Sequence, residues 1–168
     1  MGRPVVERLI AALRLDLALY TEVSAERAAS GQAFLVVLLS GVSNGLGLVL
    51  HLGAAGISAG AGAAVLGWFV WTAVVFVIAA PFGRRLPGRS LLRALGFATA
   101  PGVFLIVGMV PLLGRFARAA VVIWLVAATV VGVEAVYGMS RRRAVLVSVA
   151  AFVVYLLLGA VSAYLAAA

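Results

Sequence analysis

"RALGFATAPGVFLIVGMVPLLGR" (residues 93–115) decides the fold, because it is long and apolar enough to cross a bilayer yet carries prolines at 101 and 111. It reads as one membrane span, as a broken re-entrant segment, or as a buried helix of a soluble domain. Composition removes the last reading. Of 168 residues, 65% are hydrophobic and 11% charged, whereas soluble domains are about half apolar and about a quarter charged. A chain this short leaves much of its surface exposed when folded, so a water-soluble globule could not hide that apolar area. Its solvent is lipid. A proline removes one helical hydrogen bond and distorts its helix, at about 3 kcal/mol in a soluble protein. In a membrane, neighbouring helices and hydroxyl groups re-satisfy the freed carbonyls. Residues 103–110 offer no polar turn in which a hairpin could reverse. The stretch therefore predicts a full span, kinked by Pro101 in its first half, with Pro111 near the exit.

Four further stretches share its character. Residues 33–52, 63–82, 94–113, 119–138 and 144–164 lack Arg, Lys and Asp, and each matches the roughly 20 helical residues that a core about 30 Å thick requires. The expected fold is all-α: a polytopic membrane protein whose residues 31–168 form a compact five-helix transmembrane bundle. Residues 1–30 read as an amphipathic headpiece. On a helical wheel Val5, Val6, Leu9, Ile10, Leu13 and Leu17 share a face, away from Arg3, Glu7 and Arg14, the pattern of a helix lying in a membrane interface with its Arg near anionic headgroups. Asp16 reads as the N-cap of a second helical turn, "LALYTEV", and Ser30 as that of the first span. No cleavable signal peptide is visible.

All thirteen basic residues are Arg, which genomic base composition explains, and the net charge is +8. In a membrane protein such clustering speaks of topology before nucleic acid, and none is expected as a partner. Eleven Arg fall on one side if the spans alternate: Arg3, Arg8, Arg14, Arg27, Arg84, Arg85, Arg89, Arg93, Arg141, Arg142 and Arg143. The other side receives Arg115, Arg118 and the uncharged loop "GAAGISAGAG" (53–62). The positive-inside rule then predicts a cytoplasmic N-terminus and an external C-terminus.

Few residues offer chemistry. "LLSGVSNGLGLVLH" is the most polar intramembrane stretch; Gly41 and Gly45, four apart, let two helices approach closely, and Asn44 can bond across the contact. An intramolecular packing face, a homodimer face and a substrate path all fit that pattern. Glu134 is the only acid within a span, and an intramembrane ionisable group is by default a functional candidate. Its position just before Arg141, Arg142 and Arg143 favours a structural ion pair, with Arg84–Arg93 as other partners; proton coupling and partner binding are the alternatives. His51 has no second ligand at metal spacing and reads as interfacial. Trp68, Trp71, Trp124, Tyr155 and Tyr164 suit packing and belt roles. With no cysteine, HExxH, P-loop, GxSxG or pair of intramembrane aspartates, the sequence predicts no catalytic, cofactor or metal site and no enzyme.

The chain resembles the Yip family of five-span membrane proteins (Ypt-interacting proteins) in its shorter prokaryotic form. The resemblance rests on "LLRALGFATAP" (91–101), "VPLLG" (110–114), Trp124 and "GVEAVYGMSRRRA" (132–144). The N-terminal "LRLDLALYTEV" is similar too, with Leu17 where the pattern would place a proline. The resemblance implies five spans with a cytoplasmic N-terminus, in agreement with the charge count. Eukaryotic members work in vesicle trafficking with Rab-type GTPases and carry an Asp-Leu-Tyr-Gly-Pro motif; nothing here matches it, so GTPase binding is not implied. The expectation is an inner-membrane protein that interacts with or organises membranes, in contact with the bilayer, with anionic lipid, and with a membrane-protein partner or further copies of itself. A small oligomeric transporter or channel is the alternative, for which only Ser40, Ser43, Asn44, Thr72 and Thr129 could furnish a polar path.

Overall fold

The computed structural model describes residues 3–82, 88–110 and 113–167, and every regular element among them is helical. Two short helices, α1 (Val5–Leu13) and α2 (Leu17–Ala25), precede α3 (Ala29–Leu52) and α4 (Ala55–Ala79). Then come α5 (Gly88–Ala98), a 3₁₀ segment (Ala100–Met109), α6 (Leu113–Tyr137) and α7 (Arg141–Ala167). Five segments are long and apolar enough to cross a membrane: Ala29–Gly47, Ala55–Phe82, Gly88–Val107, Leu113–Tyr137 and Arg141–Leu165. Their outward faces carry large apolar side chains such as Leu66, Phe116, Ile123, Leu146 and Leu157, which water would not tolerate in such number but lipid does. The protein is a multi-pass membrane protein.

The third span changes helix type where the sequence predicts a kink. Pro101 has no N–H to continue the α-helical ladder, and α5 stops at Ala98. Thr99 Oγ1 donates to the Gly96 carbonyl at 2.7 Å, and Gly102 N donates to the Thr99 carbonyl at 2.8 Å. From there the backbone runs as a 3₁₀ segment of 10 residues, far longer than the usual 3–4. At about 2.0 Å per residue instead of about 1.5 Å, it carries the chain about 5 Å further than an α-helix would. α5 and the segment together reach about 36 Å, enough for the hydrocarbon core. Gly102 secures it against α3: a Cβ there would collide with the Ser40 hydroxyl, which donates to the Thr99 carbonyl at 2.8 Å. Pro111, Arg84 and Arg85 lie outside the described residues.

Two boundaries differ from the sequence reading. Segment 53–62, read as a loop, is helical from Ala55 onward; its alanines favour helix and its glycines have a partner helix to meet, as set out below. The N-cap of α3 is Ala28 rather than Ser30, with no side-chain hydrogen bond. By contrast, Asp16 does cap α2, its Oδ1 accepting from Ala18 N at 3.0 Å. The α6–α7 turn needs Gly138, whose φ is +60°.

In the bundle α3 packs against α4, α5 and the 3₁₀ segment; α6 packs against α2, α5, the 3₁₀ segment and α7; and α7 also packs against α4. The fully buried side chains gather at one end. Val36 and Val37 come from the start of α3, Val75 and Ala79 from the end of α4, Val133 from the end of α6, and Ala144 and Val147 from the start of α7. Leu91, Leu95 and Phe97 of α5 join them. Leu19, Tyr20 and Val23 of α2 are buried in the same core, so the headpiece is packed into the bundle. The face of α1 turned inward is centred on Arg8 and Ala12, a rotation away from the apolar face the wheel selects. Val6 and Ile10 consequently stay exposed.

Candidate functional site: the docked headpiece and the glycine contact

The headpiece is held by charge as well as by burial. Arg8 is 1% exposed, and an isolated buried cation is costly unless it is paired. Its guanidinium donates from Nη1 to Gln32 Oε1 at 2.7 Å and from Nη2 to Glu22 Oε1 at 2.7 Å, with Glu26 completing the pairing. Nε alone lacks a partner among the described residues. Burial works to lower the Arg8 pKa, but the hydrogen bonds and charges of Glu22 and Glu26 outweigh it and hold the group above its ordinary value. Arg3 adds a looser contact to Glu22 at 3.5 Å. One arginine thus ties α1 to α2 and to the first turns of α3.

A second buried arginine ties α2 to α5. The last carbonyls of a helix lack intrahelical donors and carry a partial negative charge. Arg93 meets that need at the end of α2: Nε donates to the Val23 carbonyl at 3.0 Å, and Nη2 to the Ser24 carbonyl and, at 3.1 Å, to Ser90 Oγ. Two tryptophans extend the scheme. Trp124, near the middle of α6, donates from Nε1 to the Leu13 carbonyl at 3.1 Å and so ties the α1–α2 turn to α6. Trp68 donates to the Leu92 carbonyl at 3.0 Å. Tyr20, its hydroxyl 3.4 Å from the Ala12 carbonyl, packs over Gly132, and burial pushes its phenol well above the ordinary range.

At α3 and α4 the glycines face each other. A Cβ on Gly41 would fall 2.6 Å from Ala64 Cβ and 2.9 Å from the Gly60 carbonyl oxygen. One on Gly45 would fall 2.6 Å from the Gly56 carbonyl oxygen, and one on Gly60 would fall 2.5 Å from Gly45 Cα. Gly41 and Gly45 therefore meet Gly56 and Gly60, a four-residue spacing matched by a four-residue spacing, with backbone on backbone. Asn44 has no hydrogen-bond partner in this contact among the described residues.

Glu134 and Arg141 come together across the α6–α7 turn, Arg141 Nε lying 2.9 Å from Glu134 Oε2. Arg141 is 63% exposed and Glu134 19%. Arg142 and Arg143, in the first turn of α7, are exposed and make no ion pair among the described residues. The His51 side chain lies outside the described residues, and no group of three metal-ligating side chains occurs among the rest.

Sequence reasoning missed Arg8 and Arg93 as structural groups. Both counted only as topology charges, although Glu22 and Glu26, four apart, signal one acidic face awaiting a cation. It also missed Gly56 and Gly60, hidden in a presumed loop. A family model described as the Yip1 domain matches residues 19–163. No curated protein and no solved structure matches the chain. The matched stretch contains all five membrane-long segments except the outermost residues of the last, together with Arg93, Trp68, Trp124 and both glycine pairs, and the chain belongs to the Yip1-domain family.

Proposed function

We propose that this protein is a non-enzymatic membrane protein that works by interaction, presenting a fixed headpiece on the cytoplasmic side of an inner membrane. The observation that carries the reading is the pair of buried arginines: Arg8 and Arg93 lock α1 and α2 onto the bundle while Arg3, Val6, Glu7, Ile10 and Arg14 stay exposed on one side of α1. Apolar Val6 and Ile10, flanked by Arg3 and Arg14 with the acidic Glu7 beside them, make a mixed outward face that suits a membrane-protein partner or the lipid headgroup region. The charge asymmetry supports a cytoplasmic N-terminus and an external C-terminus. The glycine pairs meet between α3 and α4 of one chain, which supports the intramolecular packing reading of that stretch over the homodimer one.

The transporter alternative has weaker support. Ser40, Thr72 and Thr129 each donate their hydroxyl proton to a backbone carbonyl, which leaves only their acceptor lone pairs for a polar path. Glu134 is paired at the end of its helix. The test is a pull-down in mild detergent read by mass spectrometry, comparing the natural chain with Val6→Asp/Ile10→Asp. Partners or co-purifying anionic lipid lost in the variant are expected; an unchanged profile refutes the headpiece as the interaction surface. A reporter active only outside the cytoplasm should give signal when fused to the C-terminus and none after Arg89.

A further inference from the structure

Small residues on α3, α4 and α5 leave space at the centre of the bundle. A cavity of about 520 Å³ lies among α3, α4, α5, α6 and α7, bounded in part by Asn44, Gly67, Trp68, Trp71, Phe152 and Tyr155. A second space of about 290 Å³ lies between α4 and α7. Ala63, Gly67 and Tyr155 border both, so the two meet there. The cleft opens to the outside of the bundle, where Leu66 and Leu158 are exposed. Gly67 sets the width of the junction: a Cβ on it would stand 3.1 Å from the Tyr155 hydroxyl.

Protein interiors hold few voids larger than a water molecule, and the penalty for an empty one grows with its volume. This space is not sealed, since Ala63 and Leu156 on its border are exposed, and it fills with whatever the surroundings supply. Water needs two to four polar partners each, and the walls are mainly apolar. Ser40 and Thr129, which also border the void, donate their hydroxyls to the Thr99 and Leu125 carbonyls. The groups without a hydrogen-bond partner among the described residues are the Asn44 amide, the Tyr155 hydroxyl and the Trp71 indole N–H. An apolar pocket of roughly 300–1,000 Å³ with a few polar groups is the usual form of a small-molecule site. The medium around the cleft consists of hydrocarbon chains.

We infer that this cavity binds one hydrocarbon chain of a lipid, admitted sideways from the bilayer through the α4–α7 cleft past Gly67 and Tyr155. The Asn44 amide and the Tyr155 hydroxyl serve a polar group on that lipid. The chain comes from a phospholipid or from a free fatty acid, which share this chemistry.

Trp68 reports on the cavity, because it borders the void, is only 6% exposed and has its indole N–H bonded inside the bundle. The test uses the full chain with Trp71→Phe and Trp124→Phe, reconstituted in phosphatidylcholine–phosphatidylglycerol vesicles. Brominated phospholipid chains, or brominated free fatty acid added to ordinary vesicles, should quench Trp68 emission through direct contact with the ring. Quenching by one reagent alone identifies the source of the chain. Gly67→Leu should abolish the effect by plugging the junction, and Ala98→Leu should weaken it from the opposite wall. On the unaltered protein, a phospholipid or fatty acid with a photoreactive chain should label peptides 40–44 and 152–155. Trp68 emission untouched by both reagents, or equal quenching with Gly67→Leu folded and present, overturns the inference. Where the variants fail to fold, photolabel confined to outward residues such as Phe116, Ile123 and Leu146, which border neither space, overturns it.

Discussion

Alanine in place of Gly60 should destabilise the bundle, whereas alanine in place of Gly62, two residues along the same helix, should not. Both positions lie inside α4, so the intrinsic gain of replacing glycine by alanine in a helix, about 1 kcal/mol, is common to the two and cancels in the comparison. What differs is space. A Cβ on Gly62 meets nothing within 4 Å, but one on Gly60 would lie 2.5 Å from Gly45 Cα and 2.6 Å from the Gly41 carbonyl oxygen. Carbon atoms pack at about 3.5–4.0 Å, so α3 and α4 must separate by about 1 Å. Backbone atoms cannot turn aside as a flexible side chain would. Overpacking of this kind typically costs about 1–3 kcal/mol, and a chain of this size loses about 2–4 °C in Tm per kcal/mol. Gly60→Ala should therefore melt several degrees below Gly62→Ala, measured by circular dichroism in one mild detergent. Gly45→Leu should be worse than either, since its Cβ already meets the Gly56 carbonyl oxygen at 2.6 Å. Equal melting of Gly60→Ala and Gly62→Ala would refute the close contact.

Arg93→Met should cost about 2–4 kcal/mol, because two carbonyls at the end of α2 lose a charged donor while buried; limited proteolysis should then cleave the α2–α3 connection faster, and Arg93→Lys should restore only part of the loss. Tyr20 gives an alkaline signature: its folded pKa is raised above the unfolded value, so its contribution is complete below about pH 10 and falls away as pH rises further. Tyr20→Phe should flatten the decline of Tm above pH 10, and an unchanged slope would show that another group carries it. Glu134→Gln should cost only about 0.5–1 kcal/mol, the scale of an exposed pair, since Arg141 is 63% exposed. Proton flux in proteoliposomes that disappears with that substitution would contradict the structural role and favour transport.

The number of membrane-long segments was legible because hydropathy and length are one-dimensional properties. About 20 apolar residues suffice to span lipid whatever surrounds them, and the glycines at 41 and 45 announce a close approach by spacing alone. What they approach was not legible. The segment "GAAGISAGAG" has the composition of a loop, and only the facing glycines of α3 make Gly56 and Gly60 worth more inside a helix than outside it. Ser40 was legible as a polar residue but not as the group that occupies the space beside Gly102.

Arginine presented the deeper ambiguity. A charge count treats every Arg as a topology signal, and Arg8 and Arg93 fit that count as well as Arg142 or Arg143 does. In the structure they differ in kind: Arg8 is 1% and Arg93 7% exposed, while Arg142 and Arg143 are exposed in the first turn of α7. The distinction arises from acceptors far away in sequence. Arg93 lies 70 residues from Val23, whose carbonyl it binds, and no local pattern records that distance. Once α2 must end inside the bundle, its last carbonyls need a donor that water cannot supply there. An arginine, which forks its N–H groups and stays charged when buried, meets that need better than any other side chain. The same argument explains why α1 turns Arg8 inward against its apolar stripe: Glu22, Glu26 and Gln32 already fix where a cation has to sit. Val6 and Ile10 are then left outward as a consequence of that pairing, and the exposed strip on which the proposed interaction depends exists because the buried charge was settled first.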